Sequence, residues 1–376
     1  MSDHDAPPTV LPVLRLPEVH ANVTELSPAE IIARTEAAKR ALGDELLVLG
    51  HHYQRDAVIR FADRTGDSFA LARHAASAAR VRWVVFCGVH FMAETADILT
   101  PPEVTVLLPD TNAGCSMADM ADIDQVEACW EEYHEVCDET LVPVTYMNST
   151  AAIKAFTGRH GGAVCTSSNA LGVMRWAFTQ GRKILFIPDQ HLGRNTGYFQ
   201  MGLDRDTMLL WDPNRERGGH TPAAIRAARV LLWQGHCSVH MNFQPEHVDV
   251  ARRQNPQVRV LVHPECTFGV VEKADLVGST EFIIRTVEAS PAGSSWAIGT
   301  EHNLVARLAA QHPDKHIRTL SPFACQCSTM YRIDPIDLMR TLEGIPRGEW
   351  RWPVRVAPEV AAEARSALDR MLAIPR

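Results

Sequence analysis

One arrangement recurs three times along this chain of 376 residues: a short β-branched run, a turn of polar residues, then a helical pattern. The run 46–49 leads into His51-His52-Tyr53-Gln54, the run 142–145 into Tyr146-Met147-Asn148-Ser149, and the run 258–262 into His263-Pro264-Glu265-Cys266. Strands that alternate with helices pair in parallel through right-handed crossovers. A second strand is expected in each copy, at 83–86, 163–164 and 275–277, and a third at 104–108, 183–187 and 296–298. Two of the third set are followed by similar turns, Pro109-Asp110 and Pro188-Asp189.

The expected fold class is therefore α/β, as three α/β/α units with parallel sheets. One large sheet satisfies the same pattern less well. The units are placed at residues 25–135, 136–250 and 251–345, after a proline-rich arm at 1–24 and before a helical segment at 346–376. Residues 197–219, rich in Gly, Asp and Arg, read as a long loop inserted in the second unit.

Open parallel sheets gather ligands at the ends of their strands. Polar turns there are ordinary, but His, Tyr, Asn and Glu at corresponding turns are not what turn geometry alone demands. The net charge of −8 offers no basic face for nucleic acid. No stretch approaches the length of a membrane span, and the N-terminus lacks the basic start and apolar run of a signal peptide. A cytoplasmic location is expected.

Nine cysteines in such a chain are expected as thiols or metal ligands rather than disulfides. Cys87 and Cys266 follow apolar runs and are expected to be buried, and Cys129 and Cys137 to be packed or surface thiols. Cys115, Cys237 and Cys327 each lie near the end of one of the three copies, 122 and 90 residues apart. If the copies surround a common axis, these thiols can meet and leave one corner of an iron–sulfur cluster or metal site free for substrate. Without a Cys-x-x-Cys pair, a zinc ribbon or ferredoxin-type loop is not expected.

Asp67-Ser68, Thr166-Ser167-Ser168-Asn169 and Gly278-Ser279-Thr280 each open a predicted helix. Such residues are ordinary N-caps, and they are also positions where free N–H groups receive carboxylate or phosphate. His51, Tyr53, His263 and Glu265 are candidates for proton transfer, since histidine and glutamate one residue apart on a turn can face one cleft. His191, at a strand end, is a further candidate for the cleft wall, whereas His236, His240 and His302 have no assignment.

In these residues the chain resembles the quinolinate synthase family, over residues 46–342. The motifs run in order: Gly50-His51-His52-Tyr53-Gln54, Asp67-Ser68, residues 86–96, Ala113-Gly114-Cys115-Ser116-Met117-Ala118-Asp119, Tyr146-Met147-Asn148-Ser149, residues 165–170, residues 187–193, His263-Pro264-Glu265-Cys266, Gly278-Ser279-Thr280 and Gly299-Thr300-Glu301. The resemblance implies pseudo-symmetric α/β domains around a 4Fe–4S cluster held by Cys115, Cys237 and Cys327, with the fourth iron open to substrate. Cys327 is preferred to Cys325 because the family's last ligand lies three residues before Met330.

It implies condensation of iminoaspartate (iminosuccinate) with dihydroxyacetone phosphate to quinolinate, phosphate and water, in NAD biosynthesis. An open-cluster hydro-lyase acting on another dicarboxylate is the alternative. Carried over by motif, the substrate site comprises His51, Ser68, Tyr146, Met147, Asn148, Ser167, His263, Pro264, Glu265 and Thr280, with Tyr53 in proton handling. L-aspartate oxidase or aspartate dehydrogenase is the implied functional partner. The insertion at 197–219 resembles that of a longer subset of the family.

Overall fold

The computed structural model describes residues 26–78 and 81–374, so the predicted arm at 1–24 lies outside the described residues. Three separate sheets are present, each dominated by parallel pairing, and the architecture is α/β as the repeat predicts.

The first sheet is built from β1 (Leu46–His51), β2 (Arg64–Gly66), β3 (Trp83–Cys87) and β4 (Thr105–Leu107). The second contains β5 (Leu141–Tyr146), β6 (Ala163–Cys165), β7 (Lys183–Ile187), β8 (Met208–Trp211) and β9 (Val230–Trp233). In the third are β10 (Arg259–Val262), β11 (Leu276–Val277), β12 (Ser295–Gly299) and β13 (His316–Thr319). Their spatial orders are β2-β1-β3-β4, β6-β5-β7-β9 and β11-β10-β12-β13, one topology repeated three times. A last strand, β14 (Pro353–Val354), pairs antiparallel with β4.

This order corrects the strand correspondence read from the sequence. The partner of β6 and β11 in the first sheet is β2, not the run at 83–86, which corresponds to β7 and β12. The short β2 escapes detection because Arg64 and Thr65 are exposed and polar, giving no apolar run. With the frame shifted, Pro188-Asp189 corresponds to Gly88-Val89 and Thr300-Glu301, and Pro109-Asp110 to the segment after β9. The inserted segment is not wholly a loop either: its strand β8 pairs in parallel with β9 and extends the second sheet.

Strands buried on both faces are near-continuous apolar runs, as parallel sheets require. Trp83–Cys87 and Lys183–Ile187 are buried at every position. The first two sheets share a continuous apolar core, whereas the third sheet has apolar clusters on its two faces. The C-terminal helix Pro358–Ala373 packs along the helix Ala151–Arg159. There the backbones approach so closely that a Cβ on Gly158 would lie 1.9 Å from the Glu363 carbonyl oxygen. Among the described residues, no helix is long and apolar enough to cross a membrane.

Candidate active site

The fourth strand of each repeated set, β4, β9 or β13, runs into a loop that carries Cys115, Cys237 or Cys327. Each cysteine is followed by serine, then by a tight turn of the same form. The N–H groups of Asp119, Met241 and Tyr331 donate to the carbonyls of Cys115, Cys237 and Cys327 at 3.1, 3.1 and 3.0 Å. A short 3₁₀ turn follows every time, at Ala118–Met120, His240–Asn242 and Met330–Arg332.

All three cysteines line one cavity. Burial pushes the Cys115 thiol up to about 12 and Cys237 well above the ordinary range, and it also raises Cys327. Charge on Cys327 further disfavours ionisation of Cys115, and charge on either disfavours that of Cys237, so the sulfurs are electrostatic neighbours. Without a cation they hold their protons, and a metal centre would displace those protons on binding. The donor set fits an iron–sulfur cluster with three protein ligands. Cys325 is buried and absent from the cavity wall, its thiol donating to the Phe323 carbonyl at 3.6 Å.

Helix starts form another part of the wall. Asp67 caps the helix Ser68–Ala76, accepting from Ala70 N–H at 2.9 Å, while its second oxygen accepts from Ser168 Oγ at 2.7 Å. Ser279 caps the helix Thr280–Glu288, and Thr166 and Ser167 precede the helix Ala170–Gln180. Ser68, Ser167 and Thr280 all reach the cavity from these three places. As predicted caps these segments are ordinary. Their convergence on one cavity is what separates them from ordinary caps, since helix N-termini offer N–H groups and a favourable dipole to an anion.

The C-terminal ends of β1, β5 and β10 and the turns that follow them supply His51 and Tyr53, Tyr146 and Asn148, and His263 and Glu265. Asn148 Oδ1 is buried without a hydrogen-bond partner. Tyr146 donates to Glu265 Oε1 at 2.5 Å, and His240 Nδ1 lies 2.9 Å from Glu265 Oε2. His240 Nε2 is 3.3 Å from the Thr300 hydroxyl, which is 2.9 Å from the Tyr53 hydroxyl; Tyr53 also meets Thr280 Oγ1 at 3.1 Å. A continuous chain of polar groups thus crosses all three sheets, from Tyr53 through Thr300, His240 and Glu265 to Tyr146.

Burial opposes ionisation of Glu265, but the nearby His240 and the hydrogen bonds from His240 and Tyr146 outweigh it and hold the carboxyl below its usual range. Burial lowers His51 and His263 to about 3 each, which keeps both imidazoles neutral. Burial and the nearby Glu265 raise the Tyr53 and Tyr146 phenols, so both retain their protons as donors. The buried site therefore combines a carboxylate base, neutral imidazoles and phenol donors.

Of the residues chosen from sequence, Met147 and Pro264 are not on the wall. Met147 is buried with its sulfur accepting from Thr95 Oγ1 at 3.5 Å, and the Pro264 carbonyl accepts from Asn195 at 2.8 Å. His191 is buried off the cavity, with neither ring nitrogen hydrogen-bonded. Sequence reasoning missed His240 and Thr300. The repeated Cys-Ser turn was an available signal for His240, which stands three residues after Cys237.

The fold and this cavity define an α/β protein whose site is shared by three sheets of one topology. A profile of the family described as quinolinate synthetase A protein matches residues 33–373. A protein named quinolinate synthase from Nocardioides sp. is 57% identical over 361 residues, covering 93% of this chain and 92% of the relative. Its namesake from Herpetosiphon aurantiacus is 54% identical, with 93% and 94% covered, and that from Geobacillus sp. is 52% identical, with 96% and 98% covered. This chain belongs to the quinolinate synthetase A protein family.

Proposed function

We propose that this protein is a quinolinate synthase that condenses iminoaspartate with dihydroxyacetone phosphate, releasing phosphate and water, in NAD biosynthesis. The observation that carries the proposal is the single cavity in which three thiols, three helix starts and the Glu265 network converge. Cys115, Cys237 and Cys327 would hold a 4Fe–4S cluster, which would supply Lewis acidity for the dehydration without net electron transfer.

Ser68, Ser167 and Thr280, with the N–H groups beside them, bind the carboxylates and phosphate of the two substrates. Asn148 presents its unpartnered oxygen to a substrate N–H or O–H. Glu265 accepts protons during the isomerisation and dehydration steps, with Tyr146 and His240 holding its two oxygens. Tyr53 donates to the triose-derived oxygen, while neutral His51 and His263 orient the reacting groups. Enclosure by protein keeps the labile imine from water. L-aspartate oxidase or aspartate dehydrogenase supplies that imine, and the enzyme works with them in the cytoplasm.

The test is anaerobic purification, iron and sulfide analysis, and product identification with iminoaspartate and dihydroxyacetone phosphate. Quinolinate formation that requires both substrates supports the proposal. Conversion of the dicarboxylate alone, unaffected by omission of dihydroxyacetone phosphate, replaces it with a hydro-lyase.

A further inference from the structure

Glu265 sits on a turn whose local hydrogen bonds fix only part of its backbone. Within the turn, Cys266 N–H donates to the His263 carbonyl at 3.0 Å, and Glu265 N–H to His263 Nδ1 at 3.4 Å. The carbonyls on either side of Glu265, those of Pro264 and Cys266, are instead held from another sheet's connection. Asn195 Nδ2 donates to both, at 2.8 Å each. Because both acceptors are carbonyls, which have no hydrogen to give, the amide nitrogen and not its oxygen must face them.

Two features separate this contact from ordinary packing. Asn195 is 2% exposed and its Oδ1 has no partner, so the amide is retained despite a desolvation cost that an apolar side chain would avoid. It also lies where the helix Gln190–Asn195 widens into a π-helical turn, Thr196–Gln200, a distortion often found at functional sites. Within that turn, the rings of Tyr198 and Phe199 lie 5.1 and 4.9 Å from Phe268, just after the Glu265 turn. Asn195 and, just beyond it, the start of the inserted segment therefore hold the same stretch of the third unit at two places.

We infer that Asn195 is a positioning residue for Glu265: its amide fixes the backbone on both sides of the carboxylate and so sets where that carboxylate meets substrate. This rests on the reading of Glu265 as the proton acceptor. It also gives the short helix after β7 a task in the chemistry of a turn that belongs to a different sheet.

The experiment compares Asn195→Ala, Glu265→Gln and the double variant for iron content, unfolding midpoint, kcat and KM. Asn195→Ala is expected to keep wild-type iron content and KM within about threefold while kcat falls about ten- to hundredfold, the scale of a small misplacement at a reacting centre. In the Glu265→Gln background the same substitution should change kcat less than about twofold, because the group it positions is already gone. Asn195→Ser, which keeps one donor, should show an intermediate kcat, and it serves if the alanine variant does not fold. Wild-type kcat in the Asn195 variants while Glu265→Gln is inactive overturns the inference alone. An undiminished effect of Asn195→Ala in the Glu265→Gln background does the same. Wild-type turnover in Glu265→Gln overturns the reading of the site, and the inference with it.

Discussion

The ends of the fourth strands and the ends of the first strands have diverged to very different degrees. After β4, β9 and β13 the chain makes the same Cys-Ser turn three times, down to the N–H that returns to the cysteine carbonyl near 3.1 Å. At the ends of β1, β5 and β10 and in the turns beyond, it presents three different sets: His and Tyr, Tyr and Asn, His and Glu. Under the proposed function the reason is symmetry: a cluster bound by three equivalent sulfurs would make the same demand on each unit, whereas an asymmetric substrate would need a donor, an acceptor and a base on different sides.

The contrast is broken most severely at the cysteines. Cys115→Ala, Cys237→Ala or Cys327→Ala should abolish both the brown cluster absorbance and turnover, and a variant with normal iron content and rate would remove that residue from the ligand set. Chelation of the iron should abolish turnover while leaving far-ultraviolet circular dichroism intact, because the sheets are buried in extensive apolar packing. Collapse of the dichroism would show the cluster to be structural.

At the diverged turns the losses should be graded, with the cluster retained. Glu265→Gln should lower kcat by about 10²–10⁴-fold, the range for a lost general base. Retention of cluster absorbance is the control that separates it from the cysteine variants. Thr280→Ala removes one hydroxyl from a helix start and should raise KM about tenfold or more, as for one hydrogen bond to a charged group. A change confined to kcat would instead place Thr280 with Tyr53 in proton handling.

The smallest effect sharpens the comparison from the other side. Ser116, Ser238 and Ser328 recur beside the cysteines but are exposed. Ser238→Ala should shift stability by no more than about 0.5 kcal/mol and leave iron content unchanged. Loss of iron in that variant would show that the repeated serine serves the metal centre as well as the turn.

Local chemistry made much of this protein legible in its sequence. Apolar runs announced the buried strands, capping residues announced the helix starts behind Ser68 and Thr280, and three cysteines 122 and 90 residues apart, which could meet around a common axis, do line one cavity. Where local signals were weak the reading slipped: β2 has only three residues, two of them exposed, and its omission shifted the correspondence between units by one strand.

What only the tertiary structure decided were meetings between residues far apart in the chain. His240 and Glu265 are 25 residues apart, Tyr53 and Thr300 are 247 apart, and Asn195 lies 69 residues from Pro264. Periodicity and capping report the interactions of a residue with its own helix or strand. A hydrogen bond across sheets depends on the packing of whole units, and no local pattern in the chain encodes it.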